Sequence, residues 1–270
     1  MTSRESHASA VIIPKKWFGQ NFLVDHHIQR KILRACQLDP HETILEIGPG
    51  TGALTKNLVT QVKEVIAIEK DKNLIDHLRR TIPAGNLILI HADFLKFSFS
   101  EIPKNIKIIG NLPYNVATPI ILKILENKDR FRDVYIMVQL EHANRLVAQA
   151  GSKEYGSLSC FIQYHAEVRK LFKVKNTAFR PIPKVHSCFL HLRIHKNPPY
   201  NIQDEEHLFK ITRSVFQKRR KTIYNALSDL ADKSTILLML EKLSINPKIR
   251  PEDLTLEDYV KISNYLKNLG

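Results

Sequence analysis

Asn111-Leu112-Pro113-Tyr114 puts an amide, a backbone carbonyl beside a rigid proline, and an aromatic ring in direct succession. That set suits alkylation of an exocyclic adenine amine. The N6 lone pair is delocalised into the purine ring, so the nitrogen is a poor nucleophile. Two acceptors on its hydrogens, the Asn111 side-chain oxygen and the Leu112 carbonyl, can hold it pyramidal and aim the lone pair at a methyl donor. Catalysis of this kind is positioning plus electrostatics, and no base of unusual pKa is required. Tyr114 can stack on the base. Taken alone, the same four residues are equally a strand followed by a proline turn that starts a helix.

A second constellation offers the donor site. Leu45-Glu46-Ile47-Gly48-Pro49-Gly50-Thr51-Gly52 ends one apolar run and opens a helical one. Glycines at such a turn let the backbone approach a ligand closely. Glu69 ends the next apolar run, where its carboxylate can accept both ribose hydroxyls, and Asp93 ends the third, where it can accept from an adenine amino group. Gly48, Gly50 and Ala53 also satisfy the loose dinucleotide pattern, so nicotinamide and S-adenosylmethionine both remain open on this element.

Phe179-Arg180-Pro181-Ile182-Pro183-Lys184 supplies a ring that can form the second face of a base sandwich, or simply a core phenylalanine before a proline turn. It lies in an acid-free stretch. Between Val168 and Gln203 there is no Asp or Glu but eight Lys and Arg, and Lys218-Arg219-Arg220-Lys221 forms a second basic cluster. Each is read as a solvated face or as a phosphate-binding surface. The net charge of +14 favours an anionic partner and makes Lys184 and Lys218 to Lys221 candidates for RNA contact.

The elements that must carry these residues alternate. Apolar runs over 43–48, 64–69, 87–93, 106–111 and 133–139 read as strands; 25–37, 51–60, 71–81, 118–127 and 141–150 read as helices. The first four runs lack polar alternation, as expected of strands covered on both faces. Two closing strands follow at 166–174 and 187–194. The pattern predicts an α/β fold with a doubly wound sheet. Asn197-Pro198-Pro199-Tyr200 reads as a linker, after which only helical periods occur, over 204–217, 219–230, 234–242 and 255–268. The expected organisation is a flexible basic arm over 1–16, a catalytic domain over 17–197 and a helical domain over 201–270.

Composition narrows the setting. No run approaches the ~18 apolar residues of a membrane span, and the polar start does not resemble a secretory signal. Cys36, Cys160 and Cys188 are odd in number and widely spaced, which argues against a disulfide framework or a zinc site. A reduced, cytoplasmic, metal-free protein is expected.

The ordered set of motifs resembles the small-subunit (16S) ribosomal RNA adenine N6,N6-dimethyltransferases of the KsgA type. It comprises Phe18 to Leu23 (FGQNFL), LEIGPGTGALT (45–55), IEKD (68–71), ADF (92–94), NLPY (111–114), GSKEYGSLS (151–159), FRPIPKVHS (179–187) and RRKTIYNAL (219–227). The resemblance implies a Rossmann-like class I methyltransferase sheet with a small all-α C-terminal domain. It implies S-adenosylmethionine as methyl donor, two methyls placed on each of two adjacent adenosines in the loop of the last small-subunit rRNA helix, and a role in subunit biogenesis. Its cofactor positions fall on Asn21, Leu23, Gly48, Glu69, Asp93 and Asn111. Its target-base positions fall on Asn111, Leu112, Pro113, Tyr114 and Phe179. The implied partner is the small ribosomal subunit, with no membrane and a monomeric chain.

Two departures stand out: Gln139-Leu140-Glu141-His142-Ala143 where the family usually has Gln-Lys-Glu-Val-Ala, and Val185-His186-Ser187 where Val-Asp-Ser is common. Two rivals remain. One is a resistance methyltransferase acting on large-subunit rRNA. The other is an assembly factor that binds immature subunits without chemistry, against which the intact Glu69, Asp93 and Asn111 count.

Overall fold

The apolar runs of the first half become the middle of one seven-stranded sheet. In the computed structural model the described residues are 14–15 and 19–269. The expected basic arm over 1–16 lies almost wholly outside them, as does Phe18. The strands are β2 (Thr43–Ile47), β3 (Glu64–Glu69), β4 (Leu87–His91), β5 (Ile106–Asn111), β6 (Phe131–Gln139), β7 (Ala166–Val174) and β9 (Ser187–Ile194). Their order is β4-β3-β2-β5-β6-β9-β7. Neighbours from β4 to β6 run parallel, whereas β9 is antiparallel to both β6 and β7. A separate two-stranded ribbon pairs β1 (Phe22–Leu23) with β8 (Phe179–Arg180).

Period-two geometry sends successive side chains to opposite faces, and both faces are dry along the central strands. The edge strands β4 and β7 are partly open to solvent, so the run over 87–93 is not covered on both faces, contrary to expectation. Leu45, Ile108, Val134, Ile136 and Val138 pack with Ile120, Ile121 and Ile124 of α4 (Ala117–Glu126) and with Ala143 and Leu146 of α5 (Leu140–Val147). Ile44, Val65, Ile109, Tyr135 and Met137 pack with Ile32, Leu33 and Cys36 beside α1 (His26–Ala35) and with Leu58 of α2 (Thr55–Leu58). Asp25 caps α1 by accepting from the His27 and Ile28 amides, and Asp71 caps α3 (Lys72–Thr81) through the Asn73 amide. The helix expected over 51–60 shortens to the four residues of α2, because the glycine-rich turn runs on through Leu54.

One helix is absent from the sequence expectations: α6 (Ser157–His165), which immediately precedes β7. A third core gathers Leu208, Ile211 and Val215 of α7 (Glu205–Gln217), Ile223 and Ala226 of α8 (Ile223–Ala226), Ile236 and Met239 of α9 (Lys233–Lys242), and Tyr259 and Ile262 of α10 (Leu256–Lys267). It also recruits Tyr155, Cys160 and Tyr164 from before the Pro-Pro stretch. Meanwhile Ile162 of α6 packs on the sheet. Helix α6 thus belongs to both cores and joins them.

All three cysteines are free and buried. Among the described residues no helix is long and apolar enough to cross a membrane, and no cluster of His, Cys, Asp and Glu is arranged to hold a metal ion.

Candidate functional site

The order of strand connection reverses between β2 and β5, and the crevice outside their carboxyl ends is where such sheets bind ligands. A cleft opens there. Its wall includes Asn21 to Leu23, Glu46 to Thr51, Glu69, Asp93 and Asn111 to Val116.

The glycine turn shapes one side. Gly48 and Gly50 have φ of +64° and +59°, left-handed values that L side chains rarely adopt. A Cβ on Gly48 would project into open space, so glycine keeps that part of the cleft clear. Glu69 crosses beneath the turn. One carboxylate oxygen accepts from the Gly50 amide at 3.2 Å and the other from the Asp71 amide at 2.9 Å. The Lys70 amide also draws on the carboxylate; a carboxylate has about four lone-pair sites, so acceptor capacity remains for a ligand. Burial pushes the Glu69 carboxyl up, against the pull of those amides. Asp93 is differently placed. The Lys70 ammonium at 2.8 Å holds its carboxyl below the usual range, and its other oxygen accepts from the Leu95 amide.

The segment over 19–21 before β1 lines the cleft. Asp71 accepts from Lys15 Nζ at 2.7 Å and from Gln20 Nε2 at 3.1 Å, which ties Lys15 and this segment to the start of α3. Asn111 then meets it. Its Nδ2 donates to the Asn21 carbonyl at 3.1 Å. A carbonyl can only accept, so the contact fixes the amide orientation and leaves Oδ1 as an acceptor. Leu112 is buried by its side chain, and its amide donates to the Met137 carbonyl at 3.1 Å. Pro113 starts a turn closed by the Val116 amide on its carbonyl. Tyr114 Oη lies 2.7 Å from Ser187 Oγ, which fixes the ring.

The family model for ribosomal RNA adenine dimethylase matches residues 14–268. The chain belongs to that family. Ribosomal RNA small subunit methyltransferase A of Moorella thermoacetica is 39% identical to it, over 95% of this chain and 94% of that protein. Among solved structures, a dimethyladenosine transferase from Plasmodium falciparum superposes with a TM-score of 0.79 at 25% identity, covering 89% of this chain and 95% of that one. The 23S rRNA methyltransferase ErmE shares the fold, with a TM-score of 0.74 at 23% identity and coverage of 92% and 100%.

Phe179, expected as the second face of a base sandwich, is not among the residues that line the cleft in this structure. Strand β8 sets it opposite Leu23, and its ring has no exposure among Leu23, Met137 and Ala178. Phe179→Leu, which keeps apolar volume, is therefore expected to cost less than about 1.5 kcal/mol and to leave methyl transfer near wild type. Phe179→Ala should lower stability by about 3–5 kcal/mol. Melting curves and turnover of both variants decide. A stacking ring would cost Phe179→Leu about ten-fold or more in rate.

The basic cluster also divides. The helix expected over 219–230 is instead a turn, the short α8 and a 3-10 turn, so the four charges crowd the end of α7. Lys218 is paired with Asp229 at 2.5 Å. Arg219 donates to the Lys153 carbonyl at 2.9 Å and lies 3.8 Å from Glu252. These two tie the helical core together and to the loop before α6. Arg220 and Lys221 are exposed, as is Lys184 in the β8–β9 loop. Replacing Arg220 and Lys221 with alanine should flatten the salt dependence of RNA binding by about 0.7–0.9 per lost phosphate contact, and Arg219→Ala should not. Anisotropy titrations across salt concentrations test this, and an unchanged slope in the double variant would return the pair to a solvated face.

The two departures have structural roles. His186 Nδ1 accepts from the Asn176 amide at 3.2 Å, and the His142 ring lies 3.5 Å from Thr118 Oγ1 at the start of α4. In the sequence, Glu46 is only part of the glycine-turn motif, with no role of its own. Glu46 lines the cleft at 2% exposure, and one of its carboxylate oxygens has no hydrogen-bond partner among the described residues. The available signal was a lone charge inside the otherwise apolar strand TILEI.

Proposed function

We propose that this chain transfers methyl groups from S-adenosylmethionine to N6 of two adjacent adenosines in the terminal helix loop of small-subunit rRNA. The observation that carries the reading is the Asn111 amide, locked by the Asn21 carbonyl at the switch point with its oxygen left to accept. Membership of the adenine dimethylase family and 39% identity to a small-subunit methyltransferase support it.

The cleft suits the donor. Glu69 retains acceptor capacity for ribose hydroxyls, the Gly48 turn leaves room, and the buried Glu46 carboxyl in the cleft wall places a negative charge near a cationic ligand when ionised. Bound there, S-adenosylmethionine supplies an electrophilic methyl on a sulfonium. Asp93 and the Asn21–Leu23 segment flank it. Asn111 Oδ1 and the Leu112 carbonyl accept the two N6 hydrogens and turn the nitrogen lone pair toward the methyl. Pro113 holds the carbonyl still, and Tyr114, fixed by Ser187, stacks on the base. The new carbon–nitrogen bond would form as the sulfur–methyl bond breaks, its electron pair leaving with the sulfur as a neutral thioether, and the nitrogen, made acidic, would release its proton to solvent.

Burial pushes the Glu46 carboxyl up to about 7. It is therefore largely protonated below that pH and anionic above it. Only the anion attracts a cationic ligand, so cofactor affinity should rise as pH increases through about 7. Titration calorimetry at pH values on either side checks this, with Glu46→Gln expected to be flat. A flat wild-type profile would remove Glu46 from the site.

The helical unit, with Arg220 and Lys221, is assigned to holding the subunit, and the chain to acting as a monomer in the cytoplasm during subunit assembly. The test offers labelled S-adenosylmethionine with unmethylated small subunits, large subunits and naked rRNA. Label confined to small-subunit RNA is expected. Label in large subunits would instead favour the resistance-type activity, and tight binding without label would favour a pure assembly factor.

A further inference from the structure

The loop between β8 and β9 carries two apolar side chains that the site does not use. Ile182 is 53% exposed and Val185 is 45% exposed. The loop is anchored to the cleft at both ends. Arg180 pairs with Phe22, a cleft-wall residue, and Ser187 bonds Tyr114. Its middle is held as well. Asn176 Nδ2 donates to the Pro183 carbonyl at 3.0 Å, the Asn176 amide donates to His186 Nδ1, and the Leu140 amide donates to the His186 carbonyl at 2.9 Å. Pro183 is buried beneath the exposed pair. The backbone entropy of this loop is thus already spent, and the two tips are presented rather than collapsed.

Their surroundings select a partner. Arg180 and Lys184 are exposed on the same loop, and no Asp or Glu occurs between Val168 and Gln203. Beside the Leu140–His186 contact, the Glu141 carboxylate is paired with Arg145. Apolar tips beside cations on one loop are a combination used to open nucleic-acid stacks: the cations engage phosphates while the apolar groups enter between bases. Chemistry on N6 requires the base to leave its stack.

We infer that Ile182 and Val185 form a wedge that enters between the target adenosine and its stacked neighbour, holding the target base out toward Asn111 and Tyr114. The inference rests on the rRNA methyltransferase reading. Arg180 and Lys184 seat the backbone on either side of the gap.

The test uses the full chain and a stem-loop RNA with 2-aminopurine at the target position. Its fluorescence rises on unstacking, and it has no 6-amino group to methylate. Wild-type protein should raise the signal on binding. The Ile182→Ser/Val185→Ser double variant should bind with an unchanged salt slope, since no phosphate contact is lost, yet lose most of the rise. On unmethylated small subunits its kcat should fall about ten-fold with little change in KM, and leucine at both positions should restore it. An equal rise with the serine variant, or no rise with wild type, would overturn the wedge. Weaker subunit binding with an undiminished rise would overturn it in favour of contact with a ribosomal protein. Wild-type protein that transfers no methyl to subunits would instead refute the activity on which the wedge depends.

Discussion

Asn111→Ala is expected to lower kcat for methyl transfer by about 10²–10³-fold, the loss usual when one preorganised hydrogen-bonding group is removed from a reacting centre. The side chain does two things at once. Nδ2 holds the Asn21 carbonyl at 3.1 Å, and Oδ1 is thereby committed to accept from the substrate amine. Asn111→Asp should not rescue the rate, because an oxygen would then face the Asn21 carbonyl. RNA affinity should be unchanged in both variants, since the contact matters only to an amine already in place. Single-turnover kinetics on unmethylated subunits read the effect directly. Full activity in Asn111→Ala would remove the amide from the mechanism.

The second large effect belongs to Glu69. Two hydrogen bonds from ribose hydroxyls to a carboxylate are each worth about 1.5–3 kcal/mol. Glu69→Ala should therefore weaken S-adenosylmethionine binding by about a hundred-fold to ten-thousand-fold. It also frees the Gly50 and Asp71 amides, which loosens the glycine turn. Glu69→Gln retains one acceptor and should fall between. RNA binding should hold in both, because the carboxylate lies beneath the turn at 8% exposure. Calorimetry with the cofactor and anisotropy with RNA separate these outcomes, and an equal loss of RNA binding would make Glu69 a folding residue rather than a ligand-binding one.

Much of this is legible in the sequence. The strands β2, β3 and β5 are apolar without alternation because both faces of the sheet are covered there, and that pattern also marks where their carboxyl ends lie. The run over 87–93 reads the same way but forms the edge strand β4, partly open to solvent. Glu69, Asp93 and Asn111 stand out because each ends or follows such a run. What escaped is what depends on tertiary partners. Helix α6 shows no polar stripe, since Cys160 and Tyr164 face the helical core while Ile162 faces the sheet. The β1–β8 ribbon is two residues per strand, too short for periodicity, yet it turns Phe179 inward. Lys218 and Arg219 look like their neighbours Arg220 and Lys221 in sequence. Only the fold brings Asp229 and the Lys153 carbonyl to them.

The placement of methyl groups tests the central claim most directly. Unmethylated small subunits would be incubated with the protein and S-adenosylmethionine, and the terminal rRNA fragment sequenced by mass spectrometry. Two methyl groups on each of two neighbouring adenosines, absent with Asn111→Ala, is the expected result. Methylation at a single adenosine, at a position other than N6, or undiminished in Asn111→Ala would contradict it.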